Sequence, residues 1–181
     1  MTQLEIMGAN AKNASVFLRT AGSKKDDALL AIAKALREHS DEIIKANEID
    51  IENGKNAGLT ESLLDRLRLT PERINGMAEG VEQVAALADP IGNVLEGRTL
   101  KNGLNIEKVR VPMGVIGIIF EARPNVTSDA AALCLKAGSA VILRGGKEAI
   151  NSNLAVSEIM RNAVESVGFP KDCIALVKDT S

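Results

Sequence analysis

Tryptophan and tyrosine are missing from this chain of 181 residues and phenylalanine occurs three times, so aromatic residues make up only 2% of it. That scarcity argues against a surface that binds single-stranded nucleic acid by stacking bases on rings. An excess of positive charge is missing too. The formal net charge is -2, which provides no overall basic field for a nucleic-acid partner. No apolar run approaches the length of a membrane helix, and the polar start, MTQLEIMGANAKNA, does not read as a secretory signal, so no membrane association is expected. The two cysteines, Cys134 and Cys173, lie far apart without the spacing of metal ligands. No metal site is expected, and a reducing, cytoplasmic compartment is. What the chain does have is 45% apolar residues and enough length to bury a core.

The first half reads as helices. Leu4, Met7, Ala11, Ala14 and Leu18 recur at helical spacing and predict a helix over residues 1–21 with these side chains on one buried face. Ser23 and Asp26 have the spacing of a capping box, with Asp in place of the commoner Glu. Behind them Leu29, Ile32, Ala33 and Leu36 predict a second helix that continues past Ser40 through Ile43 and Ile44 towards Asn47, until Asn53-Gly54 and Ala57-Gly58 break it. The single histidine, His39, lies in a polar stretch without an orienting partner and reads as a solvated surface residue. Thr60 caps a short helix ending near Leu69. Thr70-Pro71-Glu72 opens another, with Thr at the cap, Pro at the first helical position and an acid in the first turn, running to about Ala88. The charges of this region alternate in sign and are expected on solvated faces.

From Asn93 the pattern changes. Residues 94–100 and 104–111 flank Lys101-Asn102-Gly103 and predict a hairpin, in which Asn102-Gly103 suits a two-residue turn with positive φ at both positions. The alternation of Leu104 and Ile106 with Val109 and Val111 slips near Glu107-Lys108, where a bulge is expected. A lone hairpin is barely stable in water, so it packs either on its own chain or on another subunit.

The most informative stretch is residues 109–147. Two apolar runs, 115–120 and 140–143, fit parallel strands buried on both faces, and between them Val126, Ala130, Leu133 and Ala137 mark a crossover helix with Thr127, Ser128 and Asp129 as cap candidates. A further helix over residues 148–167, with Asn151 or Ser152 near its start, leads to a third short strand at 174–177. The expected fold is α/β: N-terminal helices and a β-hairpin, then a β-α-β-α-β half of a doubly wound, Rossmann-like sheet whose last strand presents an unprotected edge. The expected units are residues 1–92, 93–112 and 113–181, and the chain stops at Ser181 where such a sheet normally continues.

Ligands of open parallel sheets bind at the carboxyl ends of strands. Two polar turns lie there: Glu121-Ala122-Arg123-Pro124-Asn125 and Arg144-Gly145-Gly146-Lys147. Neither is a P-loop, and no G-x-G-x-x-G follows the first strand; Gly114 and Gly117 read as close strand packing. Cys134 reads as a small buried hydrophobe, and a reactive Cys173 would need a positive, accessible setting. Arg144 and Lys147, spaced by two glycines that let a ligand near the backbone, suit a phosphate or ribose phosphate; the alternative is a solvated basic turn.

The ordered run from Pro112 through EARPNVT to AGSAVILRGGKEA, and the helices and hairpin before it, resemble the γ-glutamyl phosphate reductase family, also called glutamate-5-semialdehyde dehydrogenase, a branch of the aldehyde dehydrogenase superfamily. The resemblance covers nearly the whole chain and only the first part of the family's domain plan. It implies NADPH-dependent reduction of L-glutamyl 5-phosphate to L-glutamate 5-semialdehyde and phosphate, in proline biosynthesis. It also implies a cysteine that displaces phosphate and forms a thioester, which hydride then reduces. That cysteine is expected beyond Ser181, so no catalytic residue is expected within these residues and the chain alone is expected to be inactive. The alternative is a nucleotide-binding or oligomerisation fragment without catalysis.

The same resemblance assigns residues. Arg144 stands where the superfamily places a lysine against the adenosine ribose, and Lys147 where NAD-dependent members hold ribose hydroxyls with a glutamate; a cation there suits the 2′-phosphate of NADP. Gly145 and Gly146 complete that cofactor turn, and Glu121 and Ala122 of the other turn are also expected to bind the cofactor. Ala122 aligns with the superfamily's oxyanion-stabilising Asn, so backbone N–H groups or another residue must serve. Arg123 and Asn125 are candidates for substrate contact, Arg123 to meet the acyl phosphate. A homo-oligomer through the hairpin is a possible partner arrangement.

Overall fold

The computed structural model describes residues 1–179; Thr180 and Ser181, the end of the expected third unit, lie outside the described residues. Among the described residues seven α-helices and five strands follow one another as α1 Gln3–Leu18, α2 Lys24–Glu38, α3 Ser40–Asn56, α4 Glu61–Leu67, α5 Pro71–Ala86, β1 Val94–Thr99, β2 Asn105–Val109, β3 Val115–Ile119, α6 Asn125–Lys136, β4 Ala140–Arg144, α7 Ile150–Ser166 and β5 Ile174–Leu176. None of these helices is long and apolar enough to cross a membrane.

β3, β4 and β5 form a parallel sheet in that order, with β4 central. Helices α6 and α7 are the crossovers; they pack on the sheet, and α2, α3 and α5 pack on them as an outer layer. Helix α1 lies against β4 and β3. One apolar core joins Leu29, Ile32 and Leu36 of α2 with Ile74 and Val81 of α5, Leu135 of α6, Met160 of α7 and Leu143 of β4.

Caps explain several helix starts. Thr60 accepts from Leu63 N–H and Thr70 from Arg73 N–H, with Pro71 at the first helical position, as their sequences predict. Thr2 and Glu5 form a reciprocal capping box that the periodicity did not reveal. Ser23 does not cap: its φ of -65° and ψ of -15° are already helical, which takes Oγ out of reach of the next turn. The long second helix is two, broken at His39, whose φ of -104° and ψ of 22° leave the helical path. His39 is exposed and faces Glu42 at 3.4 Å. Asn53-Gly54 does not end α3. Gly54 is buried within it, where a Cβ would stand 2.9 Å from Leu59 Cδ1; Gly58, at φ +76°, follows its end.

Three expected faces are corrected. In α1, Ala11, Ala14 and Leu18 are buried but Leu4 is 59% exposed, because the sheet beneath it carries Gly117 and is open. In β3, Ile116 and Ile118 pack towards the core while Val115 and Ile119 are exposed, so this strand is buried on one face only and forms an edge. In α6, Thr127 and Ser128 lie inside the helix and are buried, and Leu133 is 55% exposed; Pro124, at φ -58°, already stands in the helical region and starts α6 early. The charges of the N-terminal helices are not all solvated: Lys25 and Asp50 are buried, as is Lys136 of α6. Both cysteines are buried free thiols. Burial pushes Cys134 up to about 11, and burial with the neighbouring Asp172 pushes Cys173 up to about 12, as befits inert packing residues.

The hairpin differs in detail. Leu100 N–H donates to Leu104 O and Gly103 N–H to Leu100 O, giving a three-residue loop in which only Gly103 has positive φ, +84°. The extra residue of the bulge is Leu95, across the ladder from Lys108 and Val109, so the slip lies on β1. Every residue of both strands is exposed. The root is held at the α6–β4 turn: Met113 N–H donates to Ser139 Oγ at 3.2 Å, and a Cβ on Gly138 would stand 3.0 Å from Pro112 Cγ and 3.6 Å from Ile91 Cγ1. Gly138 takes φ +67°, so glycine serves both the turn and the close approach.

Candidate functional site

The two polar turns do meet. Phe120 N–H donates to Arg144 O at 3.0 Å, extending the β3–β4 ladder by one bond past Ile119. The chain then folds back sharply, Arg123 N–H donating to Glu121 O at 2.8 Å, and enters α6 through Pro124. On the second strand, Gly145 and Gly146 lead into a 3-10 turn, Lys147–Ala149, and then α7.

The glycines of the second turn are required by the first. A Cβ on Gly145 would overlap Asn153 Nδ2 and stand 3.1 Å from Phe120 Cζ; one on Gly146 would meet Glu148 Oε2 at 2.7 Å and Ala122 N at 3.3 Å. The turns are nested, and the small residues serve that nesting directly, besides leaving backbone open to a ligand. Gly145→Ala is therefore expected to cost about 1–3 kcal/mol, the range for overpacking a filled site, measured as a lower urea midpoint; an unchanged midpoint would show that Asn153 yields freely.

Asn153 is fully buried in α7. Its Oδ1 accepts from Thr127 Oγ1 at 3.0 Å, while its Nδ2 has no partner among the described residues. The start of α7 is closed by a residue from elsewhere. Asp50 of α3 accepts from Asn151 N–H at 3.2 Å and from Ser152 N–H at 2.7 Å. The positive end of α7 is thus already matched by a carboxylate, and a phosphate at the second turn has to be held by side-chain cations.

The expected site residues divide among three hollows. Glu121, Ala122, Arg123 and Gly146 line a cleft of about 350 Å³ with Arg66 and Glu148. Arg123 and Asn125 also line a second cleft, of about 500 Å³, together with Arg66 and Arg68. Arg144 turns to the other face of the sheet, into a hollow of about 480 Å³ over the strand ends with Ile119, Ile142 and Val177, roofed by Leu4 and Met7 of α1. Gly145 is buried between the turns, and Lys147 is exposed in the 3-10 turn. Arg144 and Lys147 therefore leave the turn by different routes.

Asp50, Arg66, Glu148 and Asn153 were missed by motif reasoning. The first and last are polar positions within amphipathic helices, where no local pattern separates a buried cap from a solvated side chain. Arg66 and Arg68, flanking Leu67, were visible as alternating cations but belong to a different element from the turn they face. Asp129, at the back of the second cleft, has its carboxyl pKa raised by burial, opposed by hydrogen bonds from Asn125 and Ser128.

The model of the aldehyde dehydrogenase family matches residues 2–181. A γ-glutamyl phosphate reductase of Clostridium beijerinckii is 53% identical over 182 residues, covering 100% of this chain and 44% of the relative. The crystal structure of a γ-glutamyl phosphate reductase from Thermotoga maritima has a TM-score of 0.97 at 39% identity, covering 99% of this chain and 44% of that one. A protein called PnpE, crystallised with nicotinamide adenine dinucleotide, shares the fold at TM-score 0.72 and 21% identity, over 96% of this chain and 33% of that one. The chain thus spans less than half the length of each.

Proposed function

The chain belongs to the aldehyde dehydrogenase family, and on that footing we propose that it supplies the N-terminal, cofactor-facing part of an enzyme that uses NADPH to reduce L-glutamyl 5-phosphate to L-glutamate 5-semialdehyde and phosphate. The observation that carries the reading is the 53% identity to a γ-glutamyl phosphate reductase across 100% of the chain. The geometry supports it, since the carboxyl ends of β3 and β4 open onto clefts lined by Glu121, Ala122, Arg123 and Gly146. In this reading residues 1–92 are the helical support, 93–112 an assembly hairpin and 113–181 the first half of the dinucleotide-binding sheet. The enzyme works in proline biosynthesis in the cytoplasm, and its cysteine nucleophile comes from outside these residues.

When bound, the cofactor supplies the hydride. The residues fit it in one respect: Lys147 is an exposed cation at the turn where a phosphate-bearing ribose needs one, while the α7 terminus is taken by Asp50. Arg144 would hold the adenosine side, and Lys147 would meet the 2′-phosphate. Glu121 and Ala122 position the reacting end, with backbone N–H groups serving in place of an oxyanion-binding side chain at Ala122.

A second reading, assembly, is favoured by a separate observation: Val94, Leu95, Ile106 and Val109 of the hairpin are all exposed. In it the hairpin packs against another copy of the chain.

The cofactor assignment is tested by titrating the chain with an adenine nucleotide carrying a 2′-phosphate and with its analogue lacking that group. The phosphorylated form is expected to bind more tightly. Lys147→Glu is expected to erase the preference, a change of roughly tenfold to hundredfold, the size of one charge-assisted hydrogen bond. Equal binding of both nucleotides by the unaltered chain, or none, overturns the role of Lys147.

A further inference from the structure

The arginines of the second cleft are unequally partnered. Arg73 is committed: its Nη2 donates to Asp65 Oδ1 at 2.9 Å, and its Nη1 to Arg68 O at 2.8 Å and to Asp65 O, so it closes the carboxyl end of α4 and neutralises Asp65. Arg66, Arg68 and Arg123 line the same cleft, and among the described residues none of the three guanidiniums has a carboxylate or carbonyl partner. The remaining carboxylate, Asp129, accepts from Asn125 Nδ2 at 3.1 Å. Three guanidiniums against one carboxylate leave an excess of two positive charges, brought together from two parts of the chain. α4 and its end supply Arg66 and Arg68, and the β3–α6 turn supplies Arg123.

Exposed guanidiniums lining one cleft repel each other weakly in water, and an anion between them turns that repulsion into attraction. Guanidinium forks suit a tetrahedral oxyanion, each offering two parallel N–H donors. Position supplies the rest. Arg66 and Arg123 line both this cleft and its neighbour, in which Glu121, Ala122 and Gly146 lie. An anion held by these two arginines is next to the turn where the reacting end of the substrate is placed.

We infer that Arg66 and Arg68 join Arg123 in holding a phosphate dianion, so that the cleft between α4 and the Glu121–Asn125 turn is the pocket for the substrate's phosphoryl group and the phosphate it releases. The substrate identity rests on the function proposed above; the preference for a dianion does not. A free α-amino acid end is disfavoured as the occupant. Its ammonium would meet a surplus of positive charge, since Asp65 is paired with Arg73 and only Asp129 is left to face it.

The test is titration of the full chain with inorganic phosphate, followed by amide NMR. Saturable shifts are expected at residues 66, 68, 123 and 125. Arg66→Ala and Arg68→Ala are each expected to weaken binding roughly tenfold, about the loss of one charge-assisted contact, with Arg66→Lys retaining part of it. Both side chains are exposed, and a retained helical circular dichroism spectrum confirms that each variant folds. Lys101→Ala, on the hairpin loop, is expected to change nothing. Loss of phosphate binding in Lys147→Ala with both arginine variants unaffected puts the anion on the cofactor turn and overturns the inference. So does an affinity for L-glutamate, rather than for phosphate, that falls in the arginine variants. Absence of any saturable binding overturns it too. The nucleotide titration is independent: its failure alongside arginine-dependent phosphate binding removes the cofactor assignment and leaves this pocket standing.

Discussion

Asp50→Ala is expected to cost about 3–5 kcal/mol, because it strands several buried donors at once. Asp50 is 1% exposed. Its Oδ1 accepts from Asn151 N–H at 3.2 Å and Asn151 Nδ2 at 2.7 Å, and its Oδ2 from Ser152 N–H at 2.7 Å and Ser152 Oγ at 2.6 Å. One turn earlier on the same face of α3, Asn47 donates to Ser152 Oγ at 3.0 Å and to Leu67 O at 2.8 Å, and accepts from Leu69 N–H at 2.8 Å. Alanine removes four hydrogen bonds and leaves the first turn of α7 without its counter-charge. Asp50→Asn keeps the shape but turns a donor towards an N–H, so an intermediate loss is expected. Urea unfolding of the three proteins checks the order; an alanine variant within 1 kcal/mol of the parent would refute it. The same variant is expected to weaken nucleotide binding, since α7 begins three residues after Lys147.

Lys136→Ala is the second large effect, about 2–3 kcal/mol: it empties a buried position and leaves the Ala85 carbonyl without its donor, while the carboxylate it strands, Asp26, is 38% exposed and is resolvated. Lys136 Nζ donates to Asp26 Oδ1 at 2.6 Å and to Ala85 O at 2.7 Å, tying α6 to α2 and α5. Alongside it, Lys25 Nζ donates to Asp89 Oδ1 at 2.9 Å and to Lys136 O at 3.1 Å. Lys136→Met separates the two contributions: it keeps the buried stem and removes the charge, so whatever stability it restores is packing. A methionine variant as stable as the parent would show that the ion pair adds nothing. The network also has a pH signature. Burial works against the charged form of Asp89, but the hydrogen bond from Lys25, the Ile91 N–H and the two ammonium charges outweigh it and hold its pKa below the usual range. A depressed carboxyl pKa contributes stability that is fully present above the unfolded-state value and lost as pH falls through the folded-state one. The advantage of the parent over Lys25→Met is therefore expected to be complete at neutral pH and to shrink in acid.

How much of this was legible depended on whether the cause was local. The threonine caps at 60 and 70 and the order β3-α6-β4-α7-β5 follow from neighbouring residues, and they stand as read. The break at His39 does not: the apolar periodicity of Leu36, Ile43 and Ile44 spans it, and nothing in the five residues around it forbids a helix. Ser23 has the composition of a cap but the wrong backbone dihedrals, which composition does not encode. The buried charges of the N-terminal helices were misread because alternating signs look alike on a solvated face and in a cross-linked interior; only tertiary partners distinguish Lys25 from Lys34. At the site, the turns were legible because strands end where they must. Arg66 was not, because its relation to Arg123 is made by the packing of distant elements.

The root of the hairpin has a mechanical meaning. Its two strands brace one another and touch little else, while Ile91 and Pro112 are clamped on Gly138 and Met113 is tied to Ser139. The hairpin is a cantilever, and its fixed end is the turn that joins α6 to β4. That crossover also carries Arg123 at its start and Arg144 at its close. In the assembly reading proposed above, a second copy of the chain on the free end would exert its torque on the segment that spaces the two polar turns.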